Sequence, residues 1–154
     1  MKTAVEFGCH PDHKLSTCKP LEKKGWKVIY MGLEGGKDII QCFITAENIN
    51  ELFKKHKIPK NLDLLSIDID GMDYWVWKAL NWKPKKVIIE YNPKREKGVQ
   101  PYYAHNHWNM KEDSYYGASK EELIKLGKEK GYKLEDFDED KLFFYENSTK
   151  KGFD

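Results

Sequence analysis

Short apolar runs, each bounded by polar or glycine-bearing residues, recur along most of this sequence and alternate with segments whose apolar positions fall at helical spacing. The first run, Ala4 to Phe7, predicts a strand ending at Gly8. Leu15 to Lys24 predicts a helix closed by Gly25, with Lys23 and Lys24 in the last turn, where cations favour the helix dipole. Val28 to Met31 and Ile39 to Ile44 read as the second and third strands. Asn48-Ile49-Asn50-Glu51 has capping-box spacing and starts a helix to about His56, broken by Pro59 and Asn61. The fourth strand, Leu64 to Ile69, leads into a helix from about Tyr74 to Leu80, and the fifth, Lys86 to Tyr91, stops at Asn92-Pro93. A polar stretch from Lys94 to about Ser114 is longer than connections in compact domains usually are unless they bind or cover something. Ser119 caps a helix through Lys130, and Tyr132–Phe137 and Leu142–Tyr145 flank a polar turn as a hairpin.

Strands alternating with helices imply right-handed βαβ units, and hence a single α/β domain over residues 1–147 with a mostly parallel, Rossmann-like sheet and a C-terminal antiparallel hairpin. Residues 148–154 read as a frayed tail. The second and third strands are the exception. A parallel crossover usually needs a dozen residues or more, whereas residues 32–38 alone separate Met31 from Ile39. With Gly35-Gly36 in that interval, the expectation is an antiparallel hairpin, or at least the loss of the usual helix.

Composition narrows the class. The 154 residues suit one domain, and 27 basic against 25 acidic side chains leave a formal charge of +2, without the one-signed field of a nucleic-acid or anionic-membrane binder. No apolar run approaches the roughly 20 residues that span a bilayer, and the first strand starts too early for a signal peptide, so the expected location is cytoplasmic. Cys9, Cys18 and Cys42 make no disulfide framework or zinc pair and read as reduced thiols.

The stretch Leu62 to Leu80 carries the most chemistry. Its strand delivers Asp68 and Asp70, two apart and so expected on one face, to the carboxyl edge of the sheet, where open α/β sheets bind ligands. A carboxylate there suits proton abstraction from a hydroxyl or metal binding; Asp73 reads more simply as a helix cap and Asp70 as a turn former. Glu6 and Glu90 sit in otherwise apolar strands, where a buried carboxylate needs partners. His10 and His13, with His105 and His107, belong to the same edge as Asp68. Together they make a metal-dependent hydrolase or lyase an alternative, although surface histidine is the simpler reading. Of the aromatic residues, Trp108 and Tyr115 are the better ligand-stacking candidates, the others reading as core.

The order of elements resembles the class I S-adenosylmethionine-dependent methyltransferase core, whose sheet also finishes in a reversed hairpin. Ser66-Ile67-Asp68-Ile69-Asp70-Gly71 is similar to the Lys-Ile-Asp-Val-Glu-Gly motif of FkbM-type methyltransferases, and Val87 to Pro93 and Ser114 to Ser119 look like relatives of that group. The resemblance runs from Ile44 to Tyr145, before which the chain is shortened and divergent. It implies a minimal methyltransferase-like fold, S-adenosylmethionine as cofactor, and transfer to a hydroxyl of a small molecule or sugar. On that reading Asp68, Asp70 and His107 serve catalysis. Glu6, Gly8, Cys9, His10, Asp12, Glu34 and Asp68 line the cofactor, and Glu90, Asn92, Trp108 and Tyr115 meet the substrate. Asp12 stands where the family has its second loop glycine, so weak cofactor binding is expected. A non-catalytic binding module of the same fold is the other alternative. A truncated sheet edge also favours self-association.

Overall fold

In the computed structural model, residues 1–69, 71–101 and 116–148 are described. The strands are β1 (Thr3–Phe7), β2 (Lys27–Gly32), β3 (Ile39–Gln41), β4 (Leu64–Ile67), β5 (Lys86–Glu90), β6 (Tyr132–Phe137) and β7 (Lys141–Glu146). They form one sheet in the order β3-β2-β1-β4-β5-β7-β6. The first five strands pair in parallel, while β7 lies antiparallel between β5 and β6.

This winding divides the two faces. Right-handed crossovers that move outward from β1 to β3 lie on one face, and those that return through β4 to β5 lie on the other. On the second face α1 (Ile49–Lys55), α2 (Asp73–Ala79) and α3 (Lys120–Glu129) bury Ile49, Phe53, Val76, Trp77, Leu123 and Leu126 against Val5, Phe7, Leu65, Ile67, Val87 and Ile89. Trp77 is fully buried, its ring 5.1 Å from Phe144 and 5.6 Å from Tyr132. On the first face the described residues contribute a single 3-10 helix, Lys19–Lys24, with Cys18 and Trp26 covering Ala4, Leu64 and Ile88.

Several elements differ from expectation. The helix expected over Leu15–Lys24 is reduced to that 3-10 turn. Glu6 Oε1 accepts from Ser16 Oγ at 2.8 Å and from Cys18 N at 2.7 Å, which holds the preceding stretch as a turn, and Gly25 ends the element at φ 86°. No helix joins β2 to β3, as allowed for, but the strands pair in parallel, not as an antiparallel hairpin. The short link suffices because β3 has three residues and starts beside Tyr30, so the chain retreats only two residues' length, about 7 Å. The box expected between Asn48 and Glu51 forms instead between Thr45 and Asn48, whose side chains each accept from the other's backbone N–H. Ser119 caps α3 as expected, accepting from Glu122 N at 3.2 Å.

At the amino edge of the sheet, backbone bonds of 2.8–3.1 Å tie neighbouring strands together: Lys27 N to Lys2 O, Asp63 N to Thr3 O, Lys86 N to Asp63 O, and, at the end of antiparallel β7, Glu146 N to Lys85 O. The carboxyl edge, by contrast, is where the loops meet.

Candidate functional site

The strand order reverses between β1 and β4, and their connections leave on opposite faces, which opens a crevice at the carboxyl edge. Its floor is a close backbone crossing. Gly8 adopts φ 78° and donates its N–H to Met31 O at 3.0 Å; a Cβ on Gly8 would lie 1.7 Å from Asp68 O. Only glycine fits, because both the positive φ and the contact exclude a side chain.

On one side of this floor carboxyl groups converge. Asp68 follows directly on β4, and Glu90 ends β5. The pairing of Ile67 with Ile89 makes them the next positions on neighbouring strands, so the pleat carries both toward the same face. Asp73 opens α2 and is fully buried, its Oδ2 accepting from Ile69 N at 2.8 Å and its Oδ1 from Gly71 N at 2.9 Å. Oxygen atoms of Asp68, Asp73 and Glu90 lie within 4.8 Å of one another.

The electrostatics follow from that crowding. Burial raises the Asp68 carboxyl above the ordinary carboxylate range, opposed by a hydrogen bond with Glu90 and by the charges of Lys141 and His10. A bond between two carboxyl groups requires that one hold a proton. Asp73 is pushed up to about 7, by burial first and by the Asp68 charge second, although its backbone donors favour ionisation. Lys141, paired with Glu90 across the ladder, is half-buried. Burial disfavours its charge, but Asp140 and Asp68 more than compensate and raise its pKa. Such a group can take up or release a proton near neutral pH, and its oxygens are of the type that hard divalent cations accept.

Across the floor the first loop contributes less. Cys9 is buried with Sγ 3.6 Å from Met31 O, and burial followed by the Glu6 charge pushes its thiol up to about 11, which leaves it unreactive. His10 is exposed and near enough to Asp68 to favour its charged form. Asp12 turns back on its own loop, Oδ1 accepting from Lys14 N at 2.9 Å. His13 faces away from Asp68, with Nε2 at 2.9 and 3.0 Å from the Asp38 carboxylate and its ring 4.1 Å from Tyr30. Glu34 is exposed beyond β2. Glu6 is buried beneath Ser16 and Cys18.

The structure therefore brings together Gly8, His10, Asp68, Asp73 and Glu90, and separates Glu6, Asp12 and His13 from them. The strand expected to carry both Asp68 and Asp70 ends at Ile67, since Asp73 draws the next backbone N–H groups into a turn. Asp73 itself is not the N-cap of α2, a position held by Met72. Asp70, His105, His107, Trp108 and Tyr115 lie outside the described residues. Asn92, 2 % exposed, secures the base of the following loop, with Nδ2 donating to Tyr116 O and Oδ1 accepting from Lys94 N, both at 3.0 Å. Lys141 and Asp140 were not anticipated. The clue was available in the hairpin, whose return strand must begin beside the end of β5 and so put its charged turn at the carboxyl edge.

A cavity of about 460 Å³ opens elsewhere, between Tyr91–Glu96 and the first turn of α3, lined in part by Asn92, Arg95, Lys120 and Ile124. Tyr91 belongs to the helix-covered core, so this space lies on the other side of the edge from Asp68.

These features define an α/β protein with a mostly parallel sheet compatible with a Rossmann-like arrangement. No protein-family model matches the chain, and no curated protein matches it. Among the described residues, no helix is long and apolar enough to cross a membrane.

Proposed function

We propose that this protein is a small S-adenosylmethionine-dependent methyltransferase-like enzyme that methylates a hydroxyl of a small molecule or sugar. The observation that carries this reading is the crossing of Gly8 over Asp68 at the strand-order reversal, with the Asp68–Glu90 pair beside it. The reversed terminal hairpin supports it as well, being one of the features that the resembled core shares. A backbone without a side chain at Gly8 fits close approach by the amino-acid end of such a cofactor. Exposed Glu34, beyond β2, suits hydroxyls of its ribose. Glu6 would act indirectly, through the loop it holds in place. The cofactor, when bound, supplies an electrophilic methyl group. Asp68, whose charged form the hydrogen bond with Glu90 and the charge of Lys141 favour, would accept the proton that the attacking hydroxyl releases, and most of the rate gain would come from alignment of the reactants. Asp70, His107, Trp108 and Tyr115 remain part of the proposal on sequence grounds.

A second reading, a non-catalytic binding module, is favoured by one observation: the Glu6 and Asp12 carboxylates are both engaged within the first loop. Calorimetric titration with S-adenosylhomocysteine decides first whether the cofactor binds, and saturable binding is expected. Absence of heat at millimolar concentration would overturn the methyltransferase reading. Binding without methyl transfer to any of a panel of sugars and hydroxylated metabolites would favour the module.

A further inference from the structure

The small net charge conceals a segregation that the winding of the chain creates. Lys27 opens β2, Lys60 precedes β4, Lys83 and Lys85 lead into β5, and Lys130 and Lys133 flank the start of β6. All six therefore lie along the amino edge, and all but Lys130 are exposed. The nearby acids offset them in part, and Glu129 is exposed at the end of α3 beside Lys130. Asp63 is 8 % exposed, is bonded to Thr3 N at 2.8 Å and already faces Lys85 at 3.3 Å; Glu146 is half-buried, 3.7 Å from Lys83. Lys130 is depressed by burial and by the neighbouring Lys83 charge, a sign of how closely cations crowd here. The acids Asp68, Asp73, Glu90 and the Asp138–Asp140 turn lie instead at the carboxyl edge, with Lys141 among them.

These lysines form a row. From β2 to β6 the edge crosses five inter-strand spacings, about 24 Å in all, with a cation at most of the strand starts. An array of that length fits an extended polyanion better than a single small anion. We propose that the amino edge docks the phosphate backbone of a nucleic acid, without sequence selectivity. Lysines supply point charges for phosphates, whereas base reading favours the bidentate fork of arginine; the one arginine of the sequence, Arg95, lies beyond β5 at the other edge. A lipid surface is the weaker match, because durable attachment needs an apolar insertion besides basic charge. Among the described exposed large apolar residues, Leu15, Leu33, Phe43 and Phe137 lie away from this edge, and Met1 alone lies on it. The surface is remote from the candidate site and does not depend on its function.

Fluorescence anisotropy with an end-labelled oligothymidylate of about 20 nucleotides tests the proposal. Binding is expected at about 20 mM KCl, with affinity falling roughly 100-fold by about 200 mM, the loss for some three phosphate contacts on a single strand. The pair Lys27→Glu and Lys133→Glu should weaken binding by about 10-fold or more, while Lys37→Glu and Lys97→Glu, equal in net charge but off this edge, should change it less than about twofold. Thermal melts accompany each variant, and glutamine replacements at Lys27 and Lys133 serve if the glutamates unfold the chain. No binding at low salt, or equal loss from both pairs, would overturn the proposal. So would capture by phosphatidylserine vesicles through the same lysines without oligonucleotide binding.

Discussion

Gly8 and Asp68, sixty residues apart in sequence, cross so closely that a single methyl group on Gly8 would fall 1.7 Å from the Asp68 carbonyl oxygen. This contact seats the first loop on the exit of β4 and fixes where the Asp68 side chain emerges. Neither partner can yield easily, since the obstructing atom belongs to the backbone. Gly8→Ala should therefore destabilise the fold by about 3 kcal/mol or more, combining the strain of a positive φ with overpacking. Urea denaturation measures it. A change below about 1 kcal/mol would show that the crossing relaxes, contrary to this account.

Asp73 leads to a pH dependence. Its carboxyl is held at about 7 in the folded chain against an ordinary value of 3.8, so between these values the folded state keeps a proton that the unfolded state has lost. Stability should then be complete below about pH 4 as far as this group is concerned, and should fall as pH rises toward 7. Asp73→Asn cannot ionise and should flatten that decline, even though its amide satisfies one fewer of the Ile69 and Gly71 N–H groups. Chemical denaturation of both proteins from pH 4 to 8 checks the sign. A wild-type stability that rises through this window while the variant stays flat would exclude the assignment.

Asp68 separates chemistry from architecture. Its side chain shares a hydrogen bond with Glu90 and lies near Lys141, while its backbone, not its carboxyl, meets Gly8. Asp68→Asn keeps size and hydrogen-bonding capacity and removes an acid from a crowded group, so the melting temperature should hold or rise. Turnover should nevertheless drop at least about 100-fold, the scale for a positioned acid or base. A folded variant with undiminished turnover would remove Asp68 from catalysis, and loss of fold would make its role structural.

Local pattern carries much of this molecule. The period of the apolar residues, the Ser119 cap, the breaks at Pro59 and Pro93 and the polar turn before Lys141 are properties of neighbouring residues, and they determine strands, helices and the reversed hairpin before any tertiary contact forms. The acids at the end of an apolar strand mark the candidate site on the same grounds. Pairing direction and convergence are different. That β3 runs parallel to β2 depends on how far the chain must travel back, which is set by where Ile39 meets Tyr30. Glu6 looked like an acid for a ligand, and the fold gave it Ser16 and Cys18 as partners. His10 and His13, three apart, face different partners because His13 takes φ 54° and turns to Asp38. Asp68, Glu90 and Lys141 become one electrostatic unit only where β5 is flanked by β4 and β7. The row of lysines along the amino edge is likewise invisible in a sum of +2. Sequence determines what each segment can form, because those energies are local; which charges share a space was decided by strand order and register, because Coulomb interactions act across distances that the chain's own spacing does not encode.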